Sequence, residues 1–335
     1  MMAFRLGRYA AGIFAATGLA GCVGSAFSTP NTLAPVGLVP RELRPIGIAQ
    51  LHGVPASKDA KRGIYVSTLE GIFGYSVRNR HNKSPMCMVS GSRHARGIGV
   101  DRNGNLIEAN GVTHKIIVFQ GPDMCGPKLG SVRDSFGQPY DVSSSNAATG
   151  KIAVGNIAGN SGVPGSVSVC TLSGGCTINL TNSNMHEVAG VAMAKNGDCW
   201  ASAADSLGTA TLTYFKGCSG SGEAATGFRN EYYGGLDIDG NGNLVSISID
   251  GRLYVYNGCN PSCTLVGGPF KMEGECVFGH LDKKSARFVA ADYQFSQIDV
   301  YTYNPTNVQY EYSFNTGLQV SDEVQDAAYN PPSKE

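Results

Sequence analysis

Short apolar runs broken by Gly, Asn and Asp recur along this chain, and the breaks keep a regular interval. Gly-Ile-Gly-Val-Asp at 97–101 has a near twin in Gly-Leu-Asp-Ile-Asp at 235–239, and each leads through one further residue into Asn-Gly-Asn-Leu. Between them lie Pro-Tyr-Asp-Val-Ser at 139–143 and Gly-Val-Ala-Met-Ala at 190–194. Beyond them lie Phe-Gly-His-Leu-Asp at 278–282 and Asp-Ala-Ala-Tyr-Asn at 326–330. From Gly97 to Asp326 is 229 residues in five steps, a mean near 46, and the twins at 101 and 239 stand 138 residues, or three steps, apart. Asn-Gly between two apolar runs is a strong hairpin signal, because both residues tolerate positive φ. Such pairs follow the first run at Asn103-Gly104, Asn196-Gly197 and Asn241-Gly242.

A second run follows each turn, as at 199–203 and 287–291. A third follows a further break, at 115–119, 166–170, 253–256 and 298–301, and a looser fourth completes the unit. Four antiparallel strands in about 46 residues is the size of a propeller blade. The runs at 63–67 and 72–77 read as a second and third strand with no first strand before them, while 325–329 reads as a first strand with nothing after it. Joined, they make a sixth unit and close the ring without free edges. The expectation is an all-β, six-bladed β-propeller over 47–330, closed by a C-terminal strand and followed by a short tail at 331–335. The unit from Gly97 to Phe119 resembles NHL repeats, and Phe-Val-Ala-Ala-Asp at 288–292 with Gln-Ile-Asp-Val-Tyr at 297–301 resembles the related YVTN type. That resemblance implies a fold and leaves function open. Tryptophan-rich quinoprotein blades are not indicated, since Trp200 is the only tryptophan.

The N-terminus has a different grammar. Arg5 and Arg8 precede an apolar run from Tyr9 to Ala20 that is too short to span a bilayer as a helix, and it ends in Leu-Ala-Gly-Cys at 19–22. This resembles a bacterial lipobox. The resemblance implies a signal peptide at 1–21 and a lipidated Cys22, whose acyl chains, palmitate among them, anchor the protein in the cell membrane or outer membrane. Prolines at 30, 35, 40 and 45 mark 22–46 as a tether in an oxidising, extracytoplasmic space.

Twenty-six basic and 26 acidic residues cancel, which argues against a nucleic-acid partner. Ten cysteines in an exported chain point to disulfides. With Cys22 set aside, eight paired cysteines would still allow about 105 connectivities, which local spacing narrows: Cys170 and Cys176 bracket one turn and Cys259 and Cys263 another, Cys199 and Cys218 sit on consecutive strands, Cys87 and Cys125 fall near the outer rims of neighbouring blades, and Cys276 is left over. The twin Asp-x-Asn-Gly motif also matches the start of a calcium loop at Asp237, Asp239 and Asn241. The twelfth position is Ser248, however, where a bidentate Glu belongs, so a plain turn is the expected reading.

No Gly-x-Ser-x-Gly, His-Glu-x-x-His or Walker pattern occurs. Candidate chemistry therefore falls on the channel mouth. Three residues before each first strand stand His94, Phe136, Glu187, Tyr232, Glu275 and Glu323, with Arg96, Gln138, His186 and Gln325 close by, and Asp141, Asp237 and His280 inside the strands. The leading expectation is a binding or scaffold protein for a protein, peptide or glycan partner. The alternative is a metal-dependent hydrolase resembling lactonases and arylesterases, in which the rim carboxylates would hold calcium, or zinc if His94 and His186 took part.

Overall fold

The computed structural model describes residues 62–77, 84–159, 164–282, 284–318 and 324–331. The signal segment, Cys22, the tether and Glu323 lie outside the described residues. Among the described residues, twenty-four strands form six four-stranded antiparallel sheets. Blade 1 combines β24 (Val324–Asn330) with β1 (Gly63–Thr68), β2 (Gly71–Ser76) and β3 (Cys87–Met88). Blade 2 holds β4 (Ala95–Val100), β5 (Leu106–Asn110), β6 (Lys115–Phe119) and β7 (Lys128–Arg133). Blade 3 holds β8 (Gly137–Ser143), β9 (Ile152–Gly159), β10 (Ser166–Thr171) and β11 (Gly175–Leu180). Blade 4 holds β12 (Glu187–Met193), β13 (Cys199–Ala204), β14 (Ala210–Phe215) and β15 (Glu223–Ala224). Blade 5 holds β16 (Leu236–Ile238), β17 (Leu244–Ser248), β18 (Arg252–Asn257) and β19 (Thr264–Lys271). Blade 6 holds β20 (Cys276–Leu281), β21 (Arg287–Asp292), β22 (Gln297–Asn304) and β23 (Asn307–Asn315).

The inner strands β24, β4, β8, β12, β16 and β20 touch in sequence and return to the start, so the ring is closed. Small residues set their spacing: a Cβ at Gly190 would fall 2.2 Å from Gly234 O of the next blade. Between blades the core is aliphatic and aromatic. Blades 6 and 1 bury Val289, Ile298, Phe314, Ile64, Phe73 and Tyr329 together, and blades 3 and 4 bury Val167, Leu180, Val191 and Phe215. The outermost strands alternate or face solvent, as along β19 and β23. This is the half-solvated pattern of an outer antiparallel strand.

The closure expected from the sequence is present, because β24 pairs with β1 from Gly63↔Asn330 to Thr68↔Val324. One register differs. The repeat spacing aligns Asp326 with Gly97 and Pro139, at the first inner-strand position. In the structure Asp326 makes the same hydrogen bonds as Asp141 and Asp237, which places it at their third position. The strand offers no glycine to mark its start, so apolar spacing alone left it two residues adrift.

Among the described residues four disulfides form, each between candidate partners: Cys87–Cys125, Cys170–Cys176, Cys199–Cys218 and Cys259–Cys263. Three of them lie within blades 3, 4 and 5, and Cys87–Cys125 ties blade 1 to the loop after β6. Cys276 is a buried thiol. Among the described residues no helix is long and apolar enough to cross a membrane.

Candidate functional site

The twin Asp-x-Asn-Gly segments are turns built around a buried aspartate. Asp101 Oδ1 accepts from the backbone N–H groups of Asn103 and Asn105, and its Oδ2 accepts from Asn105 Nδ2 and Ala147 N. Asp239 repeats the arrangement with Asn241 and Asn243, its Oδ2 also taking the Tyr303 hydroxyl at 3.0 Å. Gly104 and Gly242 sit at φ +85° and +80°, where a side chain would be strained. These carboxylates are occupied by the chain's own donors, which is the chemistry of a turn.

Every first strand begins on one face of the ring, here called the upper face, and runs to the lower face, where blades 2, 4 and 5 carry the Asn-Gly turns. The upper rim carries the residues singled out by the repeat. Glu187 accepts the Tyr233 hydroxyl at 2.7 Å, Glu275 accepts that of Tyr293, and Arg96 donates to Gln325 Oε1 at 2.9 Å. His94 is exposed at φ +57°, its N–H bonded to Leu69 O. His186 is exposed, while Phe136 and Gln138 are partly buried. The structure thus brings the described rim residues to one face, yet anchors both glutamates and Arg96 to separate partners. Among the described residues, the only group of three or more His, Cys, Asp or Glu side chains close enough to share an ion is Asp134, Cys170 and Cys176, and those cysteines are bonded to each other.

The same face carries a feature that repeat-based reading missed. The turn between the second and third strands exposes Val112 in blade 2, Leu207 in blade 4 and Phe295 in blade 6, at 59%, 88% and 55%. Tyr232, before β16, is also exposed, and Leu69 and Ile249 occupy the equivalent turns of blades 1 and 5 partly buried. The alignment had signalled only positions before first strands, so these tips, on the opposite flank of each hairpin, went unread.

Along the axis the inner strands carry a small ionic lattice. Asp141, Asp237 and Asp326 each accept the following residue's N–H with Oδ1 and reach with Oδ2 to a backbone N–H of the next blade, at Val191, Leu281 and Ile98. They clasp blades 3 to 4, 5 to 6 and 1 to 2. His280 stands among them, Nδ1 at 3.8 Å from Asp237 and Nε2 at 3.5 Å from Asp326. Burial opposes its charge, but Asp326, Asp237 and Asp141 together lift its pKa to about 10. Burial, then Asp326, pushes Asp141 up to about 8, and burial raises Asp237 against the pull of His280. At neutral pH the imidazolium is therefore the resident cation of this lattice. Nearer the upper face, Tyr140 and Phe278 from opposite blades meet with ring centroids 5.3 Å apart, so an aromatic bridge spans the bore.

Below that bridge, a cavity of about 310 Å³ opens at the lower mouth, with walls from all six blades. His280 and Asp237 lie in it, together with Arg102 and Lys195 from the turns after β4 and β12. Both cations occupy the position just before an Asn-Gly pair, a signal the sequence does hold. A second cavity of about 600 Å³, between blades 4 and 5, shares Lys195 and Ile238 with the first and runs out past Leu244 and Trp200. Trp200 is fixed by its indole N–H donating to Cys259 O at 2.6 Å and packs against Tyr214.

No protein-family model matches the chain, and no curated protein matches it. Among solved structures it is similar to the one described as "Crystal structure of Nidogen/Laminin Complex", with a TM-score of 0.61 at 9% identity over 80% of this chain and 98% of that chain. It also matches "Structure of U3-55K" at a TM-score of 0.45 and 14% identity, covering 64% of this chain and 63% of that one. At such identity the first likeness is one of fold alone. With six blades of four antiparallel strands in a closed ring, the chain is a six-bladed β-propeller.

Proposed function

We propose that this protein is a membrane-anchored, extracytoplasmic binding propeller that docks a protein partner on its upper face. The observation that carries this reading is the exposure of Val112, Leu207 and Phe295 at equivalent turns of alternate blades, around a rim that holds Arg96, Glu187, Tyr232 and Glu275. Scattered exposed hydrophobes need no explanation, but apolar tips repeated on one face around a polar rim are the makings of a protein interface. The structural neighbour solved in a protein complex is consistent with that use of the fold.

The double variant Leu207→Ser, Phe295→Ser is expected to fold as wild type and to bind its partner about a hundredfold more weakly, since two buried apolar side chains contribute about 3 kcal/mol or more. The comparison is affinity capture from solubilised envelope with wild type, the double variant and the lower-face control Lys284→Ala. One protein held by wild type and control but lost by the double variant is the expected result. Identical capture by all three contradicts the reading.

The anchor rests on the lipobox-like segment ending at Cys22. Cys22→Ala is expected to abolish fatty-acid labelling and release the protein from membranes. Equal labelling of variant and wild type overturns it.

A further inference from the structure

We infer that the lower mouth binds a carboxylate that carries an apolar body, either a free amphipathic acid or the C-terminus of a peptide. This site lies on the opposite face from the proposed protein interface and does not depend on it.

Three observations converge. First, Arg102 and Lys195 line the wall of the 310 Å³ cavity, within the size range of small-molecule sites. Second, the floor includes His280, whose ring stands between Asp237 at 3.8 Å and Asp326 at 3.5 Å. Asp237, the acid in that lining, is already engaged by two backbone N–H bonds, from Ile238 and Leu281. The groups presented to an incoming ligand are therefore mainly cationic, and a carboxylate forms strong charge-assisted hydrogen bonds with such groups. Third, the cavity's wall residues Lys195 and Ile238 also line a neighbouring groove with Leu244 and Trp200, whose ring is held in place. A ligand with its anion at the axis would lay an apolar or aromatic body along that groove.

The test uses the full folded domain with its disulfides intact and calorimetric titration of matched probes. One arm compares octanoate with octanamide, and the other compares N-acetyl-Leu-Phe free acid with its C-terminal amide. The expected result is saturable binding of at least one acid, about tenfold or more tighter than its amide. Binding should also weaken about tenfold in Arg102→Gln, Lys195→Gln and persist in Leu207→Ser, Phe295→Ser. The arm that binds identifies the source of the carboxylate. Absence of saturable binding by both acids, or equal binding of acid and amide, overturns the inference on wild-type protein alone. Undiminished binding in the Arg102 and Lys195 variant overturns it too.

Discussion

A chain ending at residue 323 is expected to lose the closed ring and leave solution as an aggregate. Removing β24 strips the inner strand from blade 1, where all seven of its residues are buried. It exposes the edge of β1 that paired with it and the face of β4 that packed beside it. Unpaired, apolar edges of this kind are templates for intermolecular pairing. The loss is also electrostatic. Asp326 goes, taking with it the clasp on Ile98 N and the carboxylate nearest His280 Nε2. Leaving one member of a buried ion pair without its partner costs about 3–5 kcal/mol. Burial of Val324 and Tyr329 contributes a comparable amount, and together these rival the whole stability of an ordinary domain. The truncated chain should show no cooperative thermal transition and should elute in the void volume. A peptide spanning Val324–Asn330, added during refolding, should restore part of the monomer. Monomeric elution with an unchanged melting midpoint would mean that β24 is not what closes the ring.

Glu108→Gln is expected to stabilise the protein above neutrality and to change little in acid. Glu108 is fully buried between blades 1 and 2, beside Ile98 and Ile117. One oxygen accepts from Asn110 Nδ2 at 3.0 Å, and the other has no hydrogen bond among the described residues. Burial lifts its pKa to about 7, against weaker opposing help from Ser92, Asn110 and Lys128. A carboxyl whose folded pKa lies above its unfolded value holds its proton more tightly when folded. Its stabilisation is therefore complete below the unfolded pKa and is lost as pH rises toward about 7. The full loss is about 3 kcal/mol, and Gln removes it by staying neutral. In thermal melts the variant should match wild type at pH 4.5 and exceed it by roughly 5–10 °C at pH 8.5. Equal midpoints at both pH values would show that the ionised carboxylate is well solvated in the fold.

The ring was legible because its punctuation is local. Asn-Gly turns, glycines at strand contacts and alternation within strands repeat at one interval, and cysteines that pair across a hairpin lie close in sequence. The register of β24 was less legible, since Asp-Ala-Ala-Tyr carries an aspartate but no glycine to mark its start. The tyrosine partners of Glu187 and Glu275, Tyr233 and Tyr293, follow from side-chain reach and not from spacing. Arg102 and Lys195 were visible as the residues before Asn-Gly. Their convergence needed the third dimension, because blades 2 and 4 meet only at the axis. Glu108 carries no mark in the sequence, and only the packing of blade 1 against blade 2 makes it buried.

Site-specific photo-crosslinking in cells producing the full chain tests the protein-docking face most directly. Benzoylphenylalanine is placed at positions 112, 207 and 295 on the upper turns and at 196 and 241 on the lower turns. A discrete crosslinked product shared by the upper positions and absent from the lower ones is the predicted result. Products from the lower turns alone, or the same products from both faces, would contradict docking on the upper face.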